Sequence, residues 1–232
     1  MTYFPMNFAE ATVPWNSVIL ALVVVFFLIF FKGSISKILD RLSQLKFKAD
    51  KSGLEVSFDT VKAQSELAQA VKSKSESDAT LEPLDRREIA QTVLEAAPNR
   101  QAARFARSDV LWVDDRPDNN IHERKAFEAI GLRFTLARST EEALRILKER
   151  TFAAIISDMG RPPDPRAGYT LLDTVRHKGD KTPFIIYAGS RSPEHQRETV
   201  KHGGQGCTNR PDELFRLVTK SVIEASNNSE EH

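Results

Sequence analysis

The stretch Val110-Leu-Trp-Val-Asp-Asp115 decides how the chain is read. Four apolar residues closed by two carboxylates are too few for a helix. They suit a strand buried on both faces that ends where the chain can turn toward solvent. Phe152–Ser157 (FAAIIS) repeats the form and runs into Asp158. Arg133–Ala137, Phe184-Ile-Ile-Tyr187 and a short run at Gly206–Thr208 add three more candidate strands. Helical spacing fills the intervals. A helix over 119–130 stops at Gly131, and Ser139-Thr-Glu-Glu142 is a capping box opening the helix of Ala143, Leu144 and Leu147. Leu171, Leu172 and Val175 mark the next helix, and Ser192-Pro193 starts another that ends at Gly203-Gly204. Leu214, Leu217, Val218 and Val222 mark the last. Strand and helix alternating through short connections predict an α/β domain with a doubly wound five-stranded parallel sheet.

In such a sheet the ligand site lies outside the carboxyl ends of the strands. There the sequence gathers Asp114, Asp115 and Asp158. Three carboxylates held together repel one another and call for a cation, and hard oxygen ligands of this kind suit Mg²⁺. A metal so placed offsets charge on a phosphoryl group as it transfers to a carboxylate.

From Asp109 to Ile223 the chain resembles the receiver domain of two-component response regulators, which has a flavodoxin-like fold. The resemblance is carried by VLWVDD at 110–115, AAIISDM at 153–159, TPFIIYAG at 182–189 and the pair Arg210-Pro211. It implies that Asp158 is the phosphoacceptor, and that Asp114, Asp115, Asp158 and the backbone carbonyl of Gly160 hold Mg²⁺. It further implies a histidine kinase or an acyl phosphate as donor, Arg210 as a phosphate contact in the family's Lys position, and a cis Arg210–Pro211 bond. Three positions depart from the family pattern. Ala188 stands where a Thr or Ser is usual, with Ser190 two residues on. Arg210 replaces Lys, and Cys207 replaces the aromatic residue of the fifth strand. The loop GRPPDPRAG at 160–168 is also long. Its Arg161 and Arg166, with Arg116 and Arg210, either surround the acidic pocket or are solvated loop charges.

The first hundred residues read differently. Residues 1–31 carry one side-chain charge, Glu10, and Val18–Phe31 is unbroken apolar sequence. A helix over 13–31 would be roughly 28 Å long, against a hydrocarbon core of about 30 Å. Lys32, Lys37, Arg41, Lys46 and Lys48 follow the run and no base precedes it. This predicts a retained single transmembrane anchor in the cell inner (cytoplasmic) membrane, N-terminus outside and the receiver-like domain in the cytoplasm. Ile35, Ile38, Leu39 and Leu42 form an amphipathic helical stripe. Leu45–Ala49 and Leu54–Phe58 then alternate about Asp50-Lys51-Ser52-Gly53 as a β-hairpin, Lys48 facing Glu55. A lone hairpin is marginal in water and needs a partner: the following helix, the membrane surface or copies of itself, the last of which makes residues 34–58 a candidate homo-oligomer device. A weak helix over 60–74, a Ser- and charge-rich linker at 72–82 and a helix opened by Pro83 complete the region. The expected organisation is an anchor at 1–33, a juxtamembrane and linker region at 34–108, a receiver-like domain at 109–224 and a polar tail at 225–232.

Composition excludes several functions. With 33 Lys+Arg against 32 Asp+Glu the formal charge is +1, which argues against a chain-wide polyanion-binding surface; no nucleic-acid partner is expected. One cysteine excludes an internal disulfide and a cysteine zinc site. No Walker loop, Gly-x-Ser-x-Gly or Gly-x-Gly-x-x-Gly fingerprint occurs. Three readings follow. The first is a membrane-tethered receiver phosphorylated on Asp158, with output through partner binding or self-association and no enzyme chemistry beyond its own phosphorylation and dephosphorylation. The second is a pseudo-receiver acting as an oligomeric membrane scaffold. The third is an enzyme acting on a phosphate-containing ligand in the arginine-lined pocket.

Overall fold

In the computed structural model, the described residues are 58–82, 84–189 and 192–230. They belong to one packed unit, Val56–His232. The expected membrane span at 13–31, the amphipathic stripe and the hairpin up to residue 57 lie outside them. Among the described residues, no helix is long and apolar enough to cross a membrane.

Five parallel strands form the sheet: β1 (Asp109–Val113), β2 (Arg133–Ala137), β3 (Ala154–Ser157), β4 (Phe184–Tyr187) and β5 (Gly206–Thr208), in the order β2-β1-β3-β4-β5. The central strands β3 and β4 are buried along their whole length, whereas in edge strand β2 only Ala137 is fully buried. This is the expected doubly wound sheet, and the order reverses between β1 and β3, where a ligand crevice opens.

Eight helices are described: α1 (Phe58–Ser77), α2 (Arg86–Ala96), α3 (Ala102–Phe105), α4 (Ile121–Ala129), α5 (Thr140–Glu149), α6 (Ala167–His177), α7 (Pro193–Lys201) and α8 (Pro211–Glu230). Side-chain caps set several of their starts. Asp85 accepts from the N–H groups of Arg87 and Glu88, and Glu88 reaches back to the Asp85 N–H. Ser139 Oγ accepts from Glu142 N at 3.1 Å, and Ser192 Oγ from His195 N at 3.3 Å.

Alternate strand residues feed two cores. Val110, Trp112, Ile156 and Ile185 face a core closed by Phe127 of α4 and Phe215 of α8, whose rings stack 4.9 Å apart. Leu111, Val113, Ile155 and Ile186 face the other, closed by Ala143 of α5 and by Leu171, Leu172 and Val175 of α6.

Three readings of the region before residue 109 change, one being that the helix expected to open at Pro83 begins at Arg86, where the Asp85 capping box starts it. Phe58, expected at the end of a strand, begins α1, and residues 72–77, expected as linker, continue that helix through Ser77. The reason is tertiary. Ala63, Leu67 and Ala70 recur on one face of α1 and are 0–1% exposed. Ala63 and Leu67 join the core with Ile89 and Val93 of α2, and α1 packs on α4, α2 and α8. Full burial of a side chain such as Leu67 contributes about 2 kcal/mol. A polar sequence with weak periodicity is thereby held helical by its neighbours. The packed unit therefore reaches back across residue 109 to include α1 and α2.

Candidate functional site

The carboxyl ends of β1 and β3 present Asp114, Asp115 and Asp158, and one ligand oxygen from each lies within 4.8 Å of the others. The register explains the meeting: Val113 pairs with Ser157 across the two strands, so the residues following both emerge side by side. Asp114 is 7% exposed and is fixed from two sides. Its Oδ1 accepts from Arg116 N at 2.7 Å and its Oδ2 from Asn120 Nδ2 at 2.6 Å. Asp158 Oδ1 accepts from Met159 N at 2.8 Å. Burial raises the Asp158 carboxyl above the ordinary value, with Asp114 and Asp115 adding to the rise; the Met159 N–H and the Arg161 guanidinium work against it.

The cluster opens into a cavity of about 610 Å³. Gly160 and Ala188 line it, as the resemblance implies, and Asn120, Tyr187 and Lys74 line it as well. Ala188 brings no hydroxyl, and Ser190 lies outside the described residues. Gly168 sets how closely α6 approaches the Asp158 backbone. A Cβ there would stand 2.9 Å from the Asp158 carbonyl oxygen and 3.1 Å from Met159 Cα, so only glycine fits without a shift.

The four arginines do not ring the cavity. Arg161 is 3% exposed and lies behind the strand ends. Its Nη1 donates to Ser157 Oγ and to the Asp158 carbonyl, both at 2.7 Å, and its Nη2 to the Ala167 carbonyl at 3.0 Å and Thr140 Oγ1 at 3.1 Å. It is a fastener joining β3, α5 and α6, leaving Nε buried without a partner. Arg166 pairs with Glu198 and lies over the Tyr169 ring. Arg210, expected as a phosphate contact, turns to Asp212, with Nε 3.1 Å from Oδ1 and 3.8 Å from Glu213 Oε1. A nearer pair of carboxylates on the first turn of α8 holds it there. Of the four, Arg116 alone lines the cavity, with its Nε 3.7 Å from Asp115 Oδ2. Nor is Arg210–Pro211 cis: the cis bond among the described residues is Pro162–Pro163. Pro211 opens α8 at the position where its missing N–H costs nothing.

Two residues of the site were not read from the sequence. Asn120, six residues beyond Asp114, bridges Asp114 and Lys74: its Oδ1 accepts from Lys74 Nζ at 3.1 Å. Lys74 also sits 5.0 Å from the centroid of the Tyr187 ring. The second Asn of the pair after Asp-Asp was a local signal for Asn120; Lys74 had none, because it lies in the stretch read as linker. Tyr187 is itself fixed by donating to Glu123 Oε1 at 2.8 Å, and burial holds its phenol well above the ordinary value. Cys207 is buried in the core below α6 and its thiol is pushed up by burial to about 11.

The donor set fits a hard divalent cation. Three carboxylates converge, and the most buried of them is already stabilised by neutral N–H donors and leaves lone pairs over. Asp114, Asp115 and Asp158 are the residues that would hold Mg²⁺, and Gly160, whose carbonyl the resemblance adds, lines the same cavity.

Residues 110–220, just under half the chain, match the sequence profile of the response regulator receiver domain. No curated protein matches the chain at a significant level. Among solved structures, a receiver domain of the Francisella response regulator 1452 is 27% identical with a TM-score of 0.46, over 50% of this chain and 98% of that one. The chemotaxis response regulator CheY4 of Vibrio cholerae is 24% identical with a TM-score of 0.42, over 51% and 98%. A two-component response regulator from Clostridium difficile is 19% identical with a TM-score of 0.46, over 52% and 99%. Receiver domains generally bind Mg²⁺ in an acidic pocket and typically take phosphoryl groups from histidine kinases. The profile match, falling on a five-stranded parallel sheet with three carboxylates at the strand ends, supports residues 110–220 as a response regulator receiver domain.

Proposed function

We propose that the chain is a membrane-tethered signalling receiver, in which Asp158 accepts a phosphoryl group from a histidine kinase or an acyl phosphate. The observation that carries this is the convergence of Asp114, Asp115 and Asp158 within 4.8 Å at the ends of β1 and β3. Mg²⁺, when bound, neutralises these carboxylates and the oxygens of the incoming group. The chain's own residues do the rest. A carboxylate oxygen of Asp158 forms the new P–O bond as the donor's bond to phosphorus breaks. The Met159 N–H orients that carboxylate, and Asn120 and the Arg116 N–H fix Asp114 beside it. Residues 13–31 would anchor the domain at the cytoplasmic face of the inner membrane, and output would come through partner binding or through self-association by 34–58. Acetyl phosphate should label the full chain in a Mg²⁺-dependent manner, and Asp158→Asn should abolish the label. Equal labelling of both proteins would sink the assignment.

A second reading, a pseudo-receiver scaffold that signals by binding alone, is favoured by Ala188 and by the engagement of Arg210 with Asp212. It predicts no labelling of the folded chain. The enzyme reading expected four arginines around the pocket; Arg116 lines it, while Arg161, Arg166 and Arg210 are engaged elsewhere.

A further inference from the structure

With Arg210 turned to Asp212, the acidic cavity lacks a cation from the loop after β5. Among its described lining residues the cations are Arg116 and Lys74. The Arg116 side chain is 76% exposed and lies beside Asp115. Lys74 is half-buried and comes from α1, a helix that precedes the sheet domain in sequence. The ordinary role for a lysine in a last helical turn is to neutralise the terminal carbonyls. Here that work is done by others: Ser75 Oγ donates to the Lys72 carbonyl, and Ser77 Oγ and Asp78 N donate to the Lys74 carbonyl, each at 2.9 Å. Lys74 Nζ instead crosses to the sheet domain and rests on two neutral groups, Asn120 Oδ1 and the Tyr187 ring. One amide separates it from Asp114.

We infer that Lys74 is the cation that meets a phosphoryl group on Asp158, and that α1 is therefore the element that reports its arrival. This deepens the phosphoacceptor reading and rests on it. A phosphoryl group carries nearly two negative charges, and a charge-assisted bond to it outcompetes a lysine–amide contact. Lys74 would leave Asn120 and the Tyr187 ring for the new anion. The end of α1 would be redrawn with it, where Asn209 Nδ2 also donates to Asp78 Oδ2 at 3.2 Å. The signal then runs toward the N-terminal residues rather than through Ala188 and Cys207, which lack the groups that side would need.

The test uses the full chain with Mg²⁺ and with beryllofluoride, a phosphoryl stand-in that adds to a carboxylate. Lys74→Gln should weaken beryllofluoride binding by about tenfold or more, the loss of one charge-assisted bond. Mg²⁺ binding alone should be unchanged or tighter, because a positive charge has left the neighbourhood. Lys74→Arg should stay within about threefold of the unsubstituted chain, as another cation of similar reach. Beryllofluoride should alter amide exchange over residues 72–78 in the unsubstituted chain and not in Lys74→Gln. Equal beryllofluoride affinity in the two proteins overturns the inference, as does a parallel loss of Mg²⁺ and beryllofluoride binding, which a structural role gives. If the unsubstituted chain takes up no beryllofluoride, the phosphoacceptor reading fails and this inference with it.

Discussion

Replacing Asp158 by Asn should stabilise the metal-free protein at neutral pH, although it removes the central residue of the site. At 4.8 Å, two unit charges repel by about 3.5 kcal/mol at an effective dielectric of about 20, and by roughly 1 kcal/mol in bulk water. Asp158 is half-buried, so desolvation adds to the cost of its charge beside these two neighbours, while the open cavity screens the repulsion; together they bring the net gain to about 1–2 kcal/mol. Asn keeps an Oδ1 for the Met159 N–H, and little is lost in return. For a domain of 150–250 residues this corresponds to a rise in Tm of roughly 2–8 °C. The pH dependence has a definite sign. The folded-state carboxyl of Asp158 is raised above 3.8, so the folded protein holds that proton longer than the unfolded chain. Stability of the unsubstituted protein should fall as pH climbs from the unfolded value through the raised one, while Asp158→Asn lacks this fall. The two proteins should therefore converge in acid and separate toward pH 7. Saturating Mg²⁺ should reverse the order, since a ligand at 100 times its Kd stabilises by about 2.7 kcal/mol and the variant has lost one of three carboxylates. Thermal unfolding of the full chain, followed by tryptophan fluorescence with and without Mg²⁺, measures all of this. A variant no more stable than the unsubstituted protein at pH 7 without metal would refute the account of the cluster as mutually repelling.

Gly168→Ala gains up to about 1 kcal/mol of helix propensity at an ordinary helical position, but its Cβ meets the Asp158 carbonyl oxygen at 2.9 Å. A net loss of about 1–3 kcal/mol in urea unfolding is expected, and a gain would show that α6 can retreat freely. Arg161→Met should cost about 2–4 kcal/mol, because Ser157 Oγ and two carbonyls lose their donor, and should raise the Asp158 carboxyl further by removing a nearby positive charge. Denaturant titration and carboxyl-carbon NMR check the two effects. Cys207, the one cysteine of the chain, has its thiol moved from 9.0 to about 11. Its alkylation in the folded protein at pH 7 should be about a hundredfold slower than that of an unperturbed thiol, and unfolding should restore the rate.

The sheet was legible because its signal is local. Four-residue apolar runs ending in Asp, capping residues such as Ser139 and Ser192, and glycine stops write strand and helix directly into the chain. The acidic site followed from the same runs, since parallel strands in one register deliver their terminal residues to one edge. The arginines were not legible: a loop guanidinium goes to the nearest acceptors the fold provides. For Arg161 these are strand-end carbonyls, and for Arg210 the first carboxylates of α8. Lys74 was still further out of reach, because nothing local marks a charged residue as part of a site 40 residues downstream.

By itself, then, the sequence determined the order of the βα units, the carboxylate cluster and, from its single cysteine, that no internal disulfide can form. All of these depend on residue type and short-range spacing. Only the tertiary structure decided that α1 is a continuous helix through Ser77, that it packs on α4 and α8, and that its last turn brings a lysine to the mouth of the acidic cavity. The physical reason is that a weakly amphipathic helix takes its stability and its address from the surface it buries against, and that surface exists only once the sheet domain has folded.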